Sequence, residues 1–124
     1  MKKRINFDDM RFVRMTRAVM DDEVYIEKPV EKLVYATLCM YADNTTTKSH
    51  PSVKTIAGKC RCSENSVRAA LKRLQELELI GVTVRKKGTR NLSNEYELYE
   101  PPKWFVEGTA IDEVGTSQYE EGTA

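Results

Sequence analysis

The stretch PSVKTIAGKCRCSENSVRAALKRLQELELIG, Pro51 to Gly81, decides the reading of this chain. Two of its three serines, Ser52 and Ser63, are each followed by apolar residues at helical spacing. A serine hydroxyl at a helix start accepts a backbone N–H that no carbonyl of the helix can reach. Ser52 is therefore the expected N-cap of a short helix with Val53, Ile56, Ala57 and Cys60 on its apolar side. Ser63 is the expected N-cap of a longer one, with Val67, Ala70, Leu71, Leu74 and Leu77 as its buried stripe. The turn Arg61, Cys62, Ser63 joins them, as a helix-turn-helix requires. The side opposite the stripe holds Glu64, Asn65, Arg68, Ala69, Lys72 and Arg73, and it is strongly basic.

Upstream, Pro29 opens a helix, a favoured first-turn position. Val30, Leu33, Val34, Thr37, Leu38 and Tyr41 recur at three- and four-residue spacing, and the helix should end near Asp43 and Asn44. Thr45 to Ser49 is polar loop. Before Pro29, Phe12, Val13 and Met15 form a β-prone run. Thr16 would cap a brief helical turn through Met20, closed by Asp21 and Asp22. Asp21, Asp22 and Glu23 suit a solvated turn better than a metal site.

Downstream, Ile80 to Arg85 alternates apolar and polar residues, which is a strand pattern. Lys86 to Asn94 is loop, and Glu95 to Tyr99 alternates again with Tyr96 and Leu98 on one side. Pro101 and Pro102 end the resulting hairpin. The fold class is thus α+β, mainly α: a winged helix-turn-helix with a three-helix core and a β-hairpin wing. The expected organisation is an N-terminal arm over 1–9, the domain over 10–102, and an acidic, flexible tail over 103–124. Trp104, Phe105 and Val106 could dock on the domain. Beyond them Gly, Thr, Ser and acids dominate, and Glu-Gly-Thr-Ala occurs twice, at 107–110 and 121–124.

The net charge of +1 over 124 residues conceals a segregation. Residues 1–47 hold 8 basic and 8 acidic side chains, residues 48–90 hold 11 and 3, and residues 91–124 hold 1 and 8. A basic middle and an acidic end cancel in the total. A basic segment of this kind suits a polyanionic partner, or else is a well-solvated helical face. No apolar run reaches the roughly 18 residues of a membrane span. The start, Met-Lys-Lys-Arg and then Ile5 to Asp9, lacks the apolar stretch of a secretory signal. Three cysteines, an odd number, argue against a disulfide framework and for a reducing cytoplasm.

The Pro51 to Gly81 stretch resembles the helix-turn-helix domain of phage, plasmid and Gram-positive replication proteins, similar to the N-terminal region of DnaD-like and replisome-organiser proteins. FVRMTRAVMDD, EKLVYATLCMYAD and the closing residues Asn94 to Leu98 fit the same pattern, so the likeness spans roughly residues 10–100. It implies a winged helix that binds DNA; transcription regulators share that architecture. Two departures stand out. Arg61 and Glu78 occupy positions where the family commonly has glycine, which turns left-handed at least cost.

In such a domain the second helix of the motif enters the major groove. Asn65, Ser66, Arg68, Ala69 and Lys72 are the candidate base-reading residues. Ser52, Lys54, Thr55, Arg61 and Arg73, with Arg85, Lys86, Lys87 and Arg90 of the wing, are the candidates for phosphate or the minor groove. Cys60 and Cys62, with His50 and Cys39, do not make a zinc site: the Cys-x-Cys spacing is short and there is one histidine. They read as small buried hydrophobes, with a redox sensor as the other reading. No nucleophile–base pair or phosphate loop suggests an enzyme, and no metal or cofactor is expected. The first helix is apolar on two sides, Val34, Leu38 and Tyr41 against Tyr35, Cys39 and Ala42, which hints at a homodimer. The expected function is sequence-specific binding of double-stranded DNA in the cytoplasm, on the nucleoid. Replication initiation or replisome organisation and transcription repression are the competing processes, each with its own protein partners. A protein-interaction winged helix with an acidic partner-binding tail is a further alternative.

Overall fold

The computed structural model describes residues 1–114. In chain order its elements are α1 (Arg17–Asp21), α2 (Pro29–Tyr41), β1 (Lys48–Ser49), α3 (Val53–Cys60), α4 (Glu64–Glu76), β2 (Ile80–Thr83), β3 (Lys86–Lys87), β4 (Arg90–Asn91), β5 (Glu95–Leu98) and α5 (Lys103–Val114). Helices α2, α3 and α4 pack on one another around Val34, Leu38, Ile56, Val67, Leu74 and Leu79, all wholly buried. Strands β1, β5 and β2 form an antiparallel sheet in that order, with Val82 opposite Tyr96 and Ile80 opposite Leu98. Tyr96 and Ile80 carry the sheet into the helical core. A three-helix core followed by a β-hairpin is a winged helix-turn-helix, α+β and mainly helical.

Both serine caps form. Ser52 Oγ accepts the Thr55 N–H at 3.0 Å, and Ser63 Oγ accepts the Ser66 N–H at 3.0 Å. Pro29 stands in the first turn of α2. Glu31, nearly buried, reaches back to accept the Glu27 N–H at 3.0 Å. The helix stops at Tyr41, slightly before the expected end, because Asp43 gathers the chain into a turn. Its carboxylate accepts the N–H groups of Thr45 and Thr46 at 2.8 and 2.9 Å, and these bonds lower its pKa.

Several segments differ from expectation. The polar run ending at Ser49 is not all loop: Lys48 and Ser49 pair with Glu97 and Tyr96, and Thr47 Oγ1 donates to the Leu98 carbonyl at 2.9 Å. Backbone bonding to β5 overrides the polar side chains. Strand β2 ends at Thr83 rather than Arg85, and the expected loop of 86–94 contains the small β3–β4 ladder. Gly88, at φ 63, supplies the positive φ that a tight hairpin turn needs.

Thr16 precedes α1 but makes no side-chain cap; its hydroxyl accepts from Tyr35 Oη at 3.2 Å instead. Phe12 and Val13 lie outside any strand and are exposed. Asp22 is not a solvated turn residue. It is buried, and its carboxylate accepts the N–H groups of Tyr25 (3.0 Å) and Ile26 (2.8 Å). Lys32 Nζ donates to the carbonyls of Met20 (2.6 Å) and Asp22 (2.8 Å), tying this segment to α2.

The segment read as a tail from residue 103 begins as helix α5. Phe105 is fully buried and stacks on Tyr25 at 5.5 Å, with Trp104 edge-on to the same ring at 5.2 Å. The aromatic triplet outweighs the polar composition that follows it. The rest of the expected tail, 115–124, lies outside the described residues. Of the two apolar sides of α2, Val34 and Leu38 join the helical core and Tyr35 is buried against Thr16, while Tyr41 is exposed and Cys39 only partly buried.

Candidate nucleic-acid interface

Two features aim the helix-turn-helix. Arg61 closes α3 in a left-handed conformation, φ 56 and ψ 47. With it the Cys62 N–H returns to the Ala57 carbonyl at 3.1 Å, so α4 starts at once in a new direction. Cys60 is buried, its sulfur 3.3 Å from Thr37 Oγ1, and Cys62 is partly buried against the same core. Burial raises the pKa of Cys62, with Cys60 adding to the effect. These two sulfurs fill the space under the turn. Glu78, at φ 62, ends α4 the same way, and the Leu79 N–H returns to the Leu74 carbonyl at 3.1 Å.

Helix α4 buries Val67, Ala70, Leu71 and Leu74 and presents Glu64, Asn65, Arg68, Ala69 and Lys72 outward. Ser66 is half-buried, and its hydroxyl is 2.9 Å from Ser63 Oγ. Ser52 and Thr55 repeat that pairing at the start of α3. Those four hydroxyls belong to the caps first, so Asn65, Arg68 and Lys72 are the long polar side chains left to reach a ligand. Arg68 already has partners: its Nη1 donates to Asn65 Oδ1 at 3.0 Å and its Nη2 to Glu64 Oε1 at 3.3 Å.

Two open clefts join these elements. One, of about 760 Å³, runs between α3 and the start of α4, past Lys54, Gly58, Arg61 and Glu64. The other, of about 680 Å³, connects Ser52 and Thr55 to Lys48, His50 and Ser93 at the base of the wing. At the wing tip Lys86, Lys87 and Arg90 are all exposed.

Two expected contacts are placed differently. Arg73 is turned back into the fold: Nη2 donates to the Tyr25 carbonyl at 2.7 Å, with Glu76 and Glu27 beside it at 3.6 and 3.9 Å. Its position on α4 faces the loop before α2, which no helical periodicity reveals. Arg85 is half-buried and its Nε donates to the Ser93 carbonyl at 2.8 Å, bracing the hairpin across its width. Conversely, Lys28 lies outside the basic segment 48–90. It precedes Pro29 and borders a cleft of about 230 Å³ with Asn65, Ser66 and Ala69. The signal for it is a cation at the start of the helix that packs on α4.

Residues 28–80 match the family model of a helix-turn-helix domain. No curated protein matches the chain in sequence. Among solved structures the chain resembles one described as "N-Terminal domain of DNA binding protein", with 14% identity, a TM-score of 0.56, and coverage of 95% of this chain and 100% of that one. At that identity the likeness is one of fold. That coverage extends well beyond residues 28–80.

Proposed function

We propose that the chain binds double-stranded DNA in a sequence-dependent way, with α4 in the major groove and the wing on the adjoining backbone or minor groove. The observation that carries this is the outward side of α4. It offers Asn65, Arg68, Ala69 and Lys72 to solvent at the end of a helix-turn-helix, with cations on both flanks. A groove about 12 Å wide admits one helix, and asparagine and arginine are the side chains that pair bidentately with adenine and guanine. Lys54, Arg61, Lys86, Lys87 and Arg90 supply the phosphate contacts, which set affinity rather than sequence. The fold neighbour's description as part of a DNA-binding protein supports the same reading.

The process we favour is replication initiation or replisome organisation on a phage or plasmid, since the resemblance quoted above covers most of the domain. Transcription repression uses the same interface. Footprinting separates them: repeated sites at an origin support the first, and a half-site pair at a promoter supports the second. Pairing of two copies belongs to either process.

Docking of another protein is a second reading. The observation behind it is an open apolar groove of about 810 Å³ bordered by Phe12, Val13, Cys39, Tyr99 and Val106. The deciding experiment is selection from a randomised duplex library at low salt, followed by gel shift on the recovered sequences. Enrichment of a common motif is the expected result. An absence of any retained duplex would overturn DNA binding and leave the groove as the functional surface.

A further inference from the structure

One acidic side chain interrupts the basic set at the leading end of α4. Glu64 occupies the first position of the helix, in the cleft it shares with Lys54 and Arg61. Its Oε1 lies 3.3 Å from Arg68 Nη2, while Arg68 Nη1 donates to Asn65 Oδ1 at 3.0 Å. The fold has little need of this pair. Ser63 already caps the helix, and both partners are about half exposed, at 58% and 48%, where ion pairs add little stability. Toward DNA the carboxylate is a cost, since it repels the phosphates of every duplex alike. A uniform penalty leaves the ratio between sequences unchanged, so any gain in discrimination comes from where the carboxylate holds Arg68.

We propose that Glu64 is a positioning residue for sequence recognition. It holds the guanidinium of Arg68 at the start of α4 for a base edge, at the cost of some affinity for every duplex. An unanchored arginine side chain samples many rotamers and settles on whichever phosphate is near. Anchored through Nη2 to Glu64, Arg68 keeps the remainder of its five N–H donors for a base edge. Asn65 is the exchangeable partner: a guanine taking its place at Nη1 frees the amide for the neighbouring base. The inference rests on α4 being the base-reading helix, so the test treats the two separately.

The experiment is duplex-library selection and salt titration with the full chain and three variants, Arg68→Ala, Glu64→Ala and Glu64→Gln. Arg68→Ala identifies the base pair that Arg68 reads. Glu64→Ala is expected to lower discrimination at that same base pair about tenfold, within the range of one bidentate contact. It is also expected to tighten binding to unselected DNA several-fold and steepen the logarithmic salt slope by about one. Glu64→Gln keeps an oxygen acceptor for Arg68 without the charge. It should therefore share the tighter non-specific binding while retaining most of the discrimination. Undiminished discrimination in Glu64→Ala, at a base pair that Arg68→Ala does erase, overturns the proposal alone. Unchanged base preference in Arg68→Ala overturns the assignment of Arg68 as a base reader, and the proposal with it. Thermal unfolding of each variant identifies any that fails to fold, and Glu64→Gln, which preserves side-chain length, supplies the readout should Glu64→Ala be one of these.

Discussion

At the scale of single residues, the two helices of the motif both end on a side chain where glycine would be cheaper. A left-handed backbone at a non-glycine residue costs about 1–2 kcal/mol, and Arg61 and Glu78 both adopt it. Glycine loses more entropy on folding, which offsets part of that gain. Glu78→Gly should raise the unfolding free energy in urea by up to about 1 kcal/mol and leave DNA affinity unchanged. Arg61→Gly should stabilise similarly but weaken binding to all duplexes and flatten the salt slope by about one, through the lost cation. Parental affinity in Arg61→Gly would remove that residue from the interface. Burial raises the Cys39 thiol from 9.0 up to about 11, and raises Tyr35 and Tyr96 as well. The folded chain then holds protons that the unfolded chain releases, so this stability is full below pH 9 and is lost as pH rises toward 11. Urea midpoints across that window should fall, and Cys39→Ala should make the fall shallower.

At the scale of elements, what the local pattern showed and what it hid divide by where the deciding partner lies. Helices α3 and α4 declare themselves through caps and stripes contained in their own residues. Helix α5 depends on Tyr25, whose hydroxyl meets the Trp104 carbonyl at 3.4 Å across 79 residues of chain. A Cβ at Gly108 would come within 2.8 Å of that same ring. Phe105→Ala should therefore cost about 3–5 kcal/mol, read by chemical denaturation, because it removes the buried centre of this contact. A loss below about 1 kcal/mol would mean that α5 is only loosely attached. Strand β1 was hidden for the same reason. Its two residues, Lys48 and Ser49, carry no β pattern and become strand by pairing with β5. Arg73 and Arg85 looked like DNA contacts because charge is visible in a sequence and direction is not.

At the scale of the whole molecule, net charge is a poor guide and its distribution a good one. Lys86, Lys87 and Arg90 sit at the tip of a hairpin pinned at its base by the Arg85–Ser93 bond. Neutralising the three together should weaken binding to specific and random duplexes by the same factor and lower the salt slope by up to about three. Fluorescence anisotropy over a salt series reads both. Selective loss of one sequence would instead make the wing a base reader.

The sequence by itself determined the helix-turn-helix and the basic identity of its exposed side. Serine caps, a 3.6-residue apolar period and alternating strands are local properties, carried by neighbours within a few residues. Tertiary structure alone decided which cations are free. Arg73 is consumed by the Tyr25 loop, Arg85 braces the wing, and Lys28 is brought beside α4. A charged side chain is long enough to face solvent, a neighbour or the fold's own backbone, and only the packing of distant segments selects among those directions.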